Sequence, residues 1–133
     1  GDLPLLLKIG VFPDAPLPRD FLRRVSGSAN GITWVNGIAR EVRYPDGRPV
    51  FGEQYLRAGV LGRIIHEPCV KAVREARAVI DAEELPLALA AVGGVASVQD
   101  YEDFMAVGAD VVLCGSSPMY LPSLAVEIKA GLG

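Results

Sequence analysis

A chain of 133 residues, 50% of them hydrophobic, is the size of one modest domain and has enough apolar side chains to fill a core. Its net charge of −3, with basic residues scattered apart from Arg23 and Arg24, leaves no basic face for nucleic acid and points to a small-molecule partner. Cys69 and Cys114 are far apart and lack partner spacing, so neither a disulfide framework nor a zinc site is indicated and a reducing cytoplasm is expected. No membrane span is expected: the longest apolar stretch, 85–96, holds about a dozen residues interrupted by glycines, where a spanning helix takes about 20.

The opening "GDLPLLLKIG" lacks the basic flank and long apolar region of a signal peptide and enters a strand-like run almost at once, as a piece of a longer chain would. "LLLKIG" (5–10) reads as a first strand, short, apolar and bounded by Pro and Gly. Residues 18–26 predict a helix with Phe21, Leu22 and Val25 on one face and Pro18 in its first turn. "GITWVNG" (31–37) is a second strand, with Trp34 in the core rather than serving as a stacking platform.

The connection 37–65 is too long for an ordinary strand-to-helix loop, so a functional excursion is expected. Within it "YPDGRPV" predicts a small hairpin turning at Asp46–Gly47. In "AGVLGRII", Gly59 and Gly62 serve either close backbone approach to a ligand or a tight bend. "HEPCVKAVREARAVI" places Cys69, Val73, Ala76 and Ile80 at helical spacing, with Lys71, Arg74 and Glu75 outward.

"LALAAVGG" (87–94) is a third strand. Ser97 then caps a helix, with Asp100 three residues on, an inner stripe of Val98, Tyr101, Phe104 and Met105, and Gly108 at its end. "VVLCGS" (111–116) is a fourth strand, and a last helix from Pro122 to Leu132 carries Leu124 and Ile128. Strand alternating with helix predicts a parallel sheet with right-handed crossovers.

Two apolar strands end in bare backbone, at Gly93–Gly94 and at Gly115–Ser116–Ser117. Helix N-termini carry unpaired N–H groups and the positive end of the macrodipole, and glycine lets an anion approach both. Either join alone is equally a turn former. Their repetition at successive strand ends, where ligands of parallel α/β folds collect, favours two halves of a phosphate cradle.

Taken in order, "LLLKIG", "GITWVNGIA", "AGVLGRIIHEPCVKAV" and "LAAVGGVASVQDYEDFMAVGADVVLCGSSPMY" resemble the second half of the dihydroorotate dehydrogenase family, and the resemblance covers nearly the whole chain. Its most specific part is the double glycine, the capped helix ending in "GAD", and the strand with its Gly-Ser turn. "GVLG" resembles the family's Gly-Leu-Ser-Gly segment, with a spacing to the next helix like that of the membrane-associated, quinone-using class.

The resemblance implies half of a (βα)8 TIM barrel, strands five to eight, as one partial domain over 1–133 with 37–65 as the excursion. It implies FMN as cofactor and oxidation of dihydroorotate to orotate. Gly59, Gly62, Gly93, Gly94, Gly115 and Ser116 would contact FMN, Lys8 would meet the flavin ring, and Asn36 would bind the pyrimidine.

Residue chemistry is compatible with those roles. A buried lysine needs a partner charge, which a reduced, anionic flavin supplies, although a lysine can equally snorkel out at a strand end. An asparagine offers two donors and an acceptor to a pyrimidine edge, or caps the following turn.

The family pattern is broken in two places: Gly37 stands where Ser or Thr usually follows the asparagine, and Leu61 replaces the serine of Gly-Leu-Ser-Gly. Each removes a polar group. The family's base, a Ser or Cys after the fourth strand, belongs to a region outside this chain. Cys114 is expected to be an inert cofactor-loop thiol, and His66, the sole histidine, to occupy a surface position at a helix start. No Walker loop, Gly-x-Gly-x-x-Gly, metal-binding His pair or tandem repeat occurs.

Half a barrel has open edges and an uncovered inner layer, so a homo-oligomer is expected. Two functions remain alternatives to the flavin enzyme: a catalytically silent phosphate-binding or self-associating half-barrel, and another phosphate-binding barrel enzyme.

Overall fold

The computed structural model describes residues 3–10 and 19–133. In chain order the elements are β1 (Leu6–Ile9), α1 (Arg19–Ser26), β2 (Gly31–Trp34), β3 (Ile38–Glu41), β4 (Arg57–Val60), α2 (His66–Ala82), β5 (Ala88–Val92), α3 (Val98–Ala106), β6 (Val111–Leu113) and α4 (Leu124–Gly131). Pro18 lies outside the described residues, and α1 is described from Arg19.

β1, β2, β5 and β6 form one sheet in that order, with every neighbouring pair parallel. This is the expected parallel sheet of four strands with helices. Leu7 aligns with Ile32, and Ile32 with Leu89, while Ile9, Trp34, Ala91 and Val112 make the next row. Aligned residues share a face, and this face is the core side. It packs against Leu22 of α1, Cys69 and Val73 of α2, Phe104 of α3 and Leu124 of α4, all buried.

The opposite face carries Leu6, Lys8, Thr33, Ala90, Val111 and Leu113. Thr33 and Ala90, on the central strands, are screened by their neighbours, whereas Leu6, Val111 and Leu113 on the outer strands stay exposed. An apolar layer is thus open along both edges.

The helices follow their 3.6-residue stripes, with two differences. On α2 the buried stripe Cys69, Val73, Ala76 and Ile80 extends back to His66. On α3 the buried positions are Asp100 and Phe104, while Met105, expected inside, is exposed. Gly108, at φ +90°, ends α3, and a Cβ there would meet the Arg77 side chain at 2.6 Å. Arg77 donates to the Gly108 carbonyl and to Asp110, whose carboxylate also accepts the Leu89 N–H at 2.7 Å. That clamp ties α2 to both strands β5 and β6 at their N-terminal side.

The excursion is an antiparallel ribbon of β3 and β4, Ile38 facing Val60 and Glu41 facing Arg57. It continues through an Arg43–Pro49 bridge to the expected turn, where Gly47 has φ +87° and Asp46 accepts from the Arg48 backbone and side chain.

Candidate functional site

All four sheet strands run the same way, so their carboxyl ends share one side of the sheet. Lys8 is near the end of β1; Asn36, Gly93–Gly94 and Gly115–Ser116 follow β2, β5 and β6 directly. Backbone bonds continue the ladder past the strands, from Val35 N–H to the Val92 carbonyl and from Asn36 N–H to the Ile9 carbonyl. The carboxyl ends of β1, β2 and β5 are held together as one surface.

A cleft of about 250 Å³ opens there. It is lined by Lys8, Asn36, Gly62, Gly93, Gly94, Gly115 and Ser116, with Val35, Leu61, Ile65, Val92 and Met119 as its apolar part. Gly59 is not among the lining residues. It is an exposed residue of β4, aligned with Ala39 on the ribbon.

Among the described residues the lining has one cation, Lys8, and no carboxylate. The N–H groups of Gly94, Gly115 and Ser116 have no acceptor among the described residues. Unpaired backbone donors beside a positive side chain suit an anion. Leu61, where the family pattern has a serine, is exposed at the cleft and adds apolar surface there.

These donors belong to the turns, and the helix terminus behind them is closed. Ser97 Oγ accepts the Asp100 N–H of α3 at 3.2 Å, and the Asp100 carboxylate accepts from Ser97 Oγ at 2.8 Å and from Ala96 N–H at 3.0 Å. The start of α3 therefore carries the expected Ser97–Asp100 cap, with the Asp100 carboxylate as a local anion. On the other side a short 3-10 turn, Ser117–Met119, follows Ser116.

The glycine turn is rigidly seated. Gly93 and Gly94 have φ +146° and +69°. A Cβ on Gly93 would collide with the Cys69 thiol, and one on Gly94 would stand 2.8 Å from the Gly62 carbonyl and 2.9 Å from His66 Cβ. Only glycine fits where the turn after β5 presses on the start of α2.

His66 is not on the surface as expected but buried. Its Nδ1 is 3.2 Å from the Gly93 carbonyl, its Nε2 is 3.0 Å from Asp103 and 3.5 Å from Asp100, and its ring stands edge-on to Phe104. Asp100, fully buried, also accepts from Arg63 at 2.6 Å. The hydrogen bond with His66, then that from Gln99, holds the Asp103 carboxyl below the usual carboxylate range. The signal for this network was present in part: His66 stands three residues before Cys69 and so continues the buried stripe of α2.

Burial raises both thiols, that of Cys69 to about 11. Neither is poised as a nucleophile or base.

Fold and site together define an α/β unit of barrel type with an anion-suited cleft at the strand carboxyl ends. Comparison with known proteins sharpens that class. The chain is 27% identical over 128 residues to a dihydroorotate dehydrogenase of Dictyostelium discoideum, covering 95% of this chain and 35% of that protein. It is 25% identical over 129 residues to the catalytic subunit of dihydroorotate dehydrogenase B (NAD(+)) of Staphylococcus carnosus, covering 96% of this chain and 39% of that one. The chain thus spans little more than a third of the length of these relatives. In fold it matches the crystal structure of the Eimeria tenella enzyme in complex with ferulenol, with a TM-score of 0.68 and 22% identity over 97% of this chain and 33% of that one. No family model matches the sequence. The sequence is similar to proteins of this name along nearly its whole length.

Proposed function

We propose that this chain supplies the cofactor-binding strands, five to eight, of an FMN-dependent oxidoreductase of the dihydroorotate dehydrogenase type. The observation that carries the proposal is one cleft in which donor-bearing turns after β5 and β6 meet Lys8, with no carboxylate among the described lining residues. Those residues fit a flavin phosphate: Gly94, Gly115 and Ser116 offer N–H groups without an acceptor among the described residues.

In this reading the turns bind the phosphate, Lys8 stabilises negative charge on the isoalloxazine, and Asn36 orients a dihydropyrimidine by its amide. Bound FMN would supply the hydride acceptor for oxidation of a CH–CH bond. Gly37 and Leu61 leave that substrate without two polar partners, so orientation falls more heavily on Asn36. No base is assigned within this chain, since Cys114 has a raised thiol and His66 is committed to Gly93 and Asp103.

Titration of the purified chain with FMN, followed by flavin fluorescence and absorbance, tests the proposal. Saturable binding displaced by inorganic phosphate is expected. Gly115→Asp should weaken it by about tenfold or more: the new Cβ meets nothing within 4 Å, so the fold is untouched while a like charge enters the cradle. Absence of FMN binding overturns the proposal, and phosphate binding without FMN binding leaves the silent half-barrel in its place.

A further inference from the structure

We propose that His66 is a positioning residue whose ring, held between the Gly93 carbonyl and the carboxylates of α3, aims the Gly94 N–H into the cleft and makes that donor respond to protonation. The inference rests on the reading of the cleft as an anion site.

The Gly93 carbonyl and the Gly94 N–H are the two ends of one peptide unit. That unit is planar and trans, so its C=O and N–H point in opposite directions. His66 Nδ1 lies 3.2 Å from the carbonyl end, on the side of α2 and α3. The N–H end belongs to a residue lining the cleft and has no acceptor among the described residues. Fixing one end of a rigid plane fixes the other.

Both ring nitrogens face groups that can only accept: a carbonyl at Nδ1, and at Nε2 the carboxylates of Asp103 and Asp100. Both contacts are hydrogen bonds only when both nitrogens carry hydrogen. A neutral ring gives up one of them, leaving a lone pair against an oxygen. Donation to a peptide carbonyl also polarises its N–H, so the doubly protonated ring makes Gly94 a better donor as well as a better aimed one.

The charged groups around the ring have defined places. Arg63, from the turn before α2, is paired to Asp100. Glu67, Lys71 and Arg74 of α2 line, with His66 and Asp103, an open groove of about 500 Å³ that shares no lining residue with the cleft. Lys8 lines the cleft and not this groove.

Nuclear magnetic resonance on the 15N-labelled chain, without ligand, tests the coupling directly. In a pH series that follows the His66 ring signals in the same samples, the Gly94 amide nitrogen should shift with the same midpoint as the ring. His66→Asn places an amide donor near the Nδ1 position and should keep the Gly94 resonance near its low-pH place at every pH. His66→Gln reaches the Nε2 position instead and should move it away.

Affinity for inorganic phosphate provides the second arm. At low pH the wild type should bind about fivefold more tightly than His66→Gln, with the ratio shrinking as pH rises. Taking ratios at each pH cancels the protonation of phosphate itself. A Gly94 amide that ignores His66 titration, or Asn and Gln variants that behave alike, overturns the proposal. Since the resonance measurement involves no ligand, it separates failure of the His66 coupling from failure of the FMN reading, which the FMN titration alone decides.

Discussion

Gly94 illustrates how much of the site is decided by a missing side chain. With φ +69° and a would-be Cβ 2.8 Å from the Gly62 carbonyl, Gly94→Ala combines left-handed backbone strain with a clash against backbone. The expected cost is about 1–3 kcal/mol in urea denaturation; a loss below about 0.5 kcal/mol would show the turn free to relax. Glycine pairs are visible in a sequence because the residue type is itself the signal. His66 was visible only as a continuation of the α2 stripe, because its partners arrive from α3, 37 residues on in the case of Asp103, and from the Gly93 carbonyl.

Cys69 gives a second prediction at this scale. Its thiol is raised by burial from 9.0 to about 11, so the folded state favours the protonated form over the range in which the unfolded chain ionises. Stability is therefore complete below about 9 and falls as pH rises towards about 11, read as a declining urea midpoint. Alkylation of the native chain at mildly alkaline pH should label Cys114 well before Cys69, the fully buried thiol. Equal rates would contradict the packing of Cys69 beneath Gly93.

Among the elements, α3 depends most on a local device. Ser97 and Asp100 satisfy each other at its first turn, and Ser97→Ala should cost about 1 kcal/mol in thermal or urea denaturation. An unchanged stability would mean that Ala96 N–H and Arg63 alone hold Asp100 in place. The cap was legible because Ser and Asp three apart before an apolar run have a local reason to be there. The inner face was legible only approximately: periodicity marks a stripe about a residue wide on either side, and it put Met105 inside in place of Asp100. A carboxylate enters a core only where donors meet it, and Arg63 comes from another element altogether. The ribbon β3–β4 was predicted at its Asp46–Gly47 turn, whereas the place of Gly59 on it follows from a pairing register that glycine spacing does not encode.

For the whole molecule, the uncovered sheet face is the dominant feature. Leu6, Val111 and Leu113 are exposed on outer strands whose backbone edges are open within the described sheet. The 133-residue chain should self-associate, with a mass above the monomer by light scattering at low concentration. Val111→Lys should shift it towards monomer by placing a charge on that layer. A wild-type chain that stays monomeric would remove the case for association through this face.

The alternation of short apolar runs with amphipathic ones was enough, by itself, to determine a parallel sheet with helices, because burying both faces of a strand and one stripe of a helix leaves those two periods in the residues. It also determined where bare backbone would stand, since glycine can take the φ values of Gly93 and Gly94 at no steric cost. Only the tertiary structure decided that turns after β5 and β6 share a cleft with Lys8 and Asn36, that Gly59 stays outside it, and that a buried histidine grips the glycine turn from behind. Those are distances between residues far apart in the chain, set by strand order and helix docking, and no local pattern of residues records them.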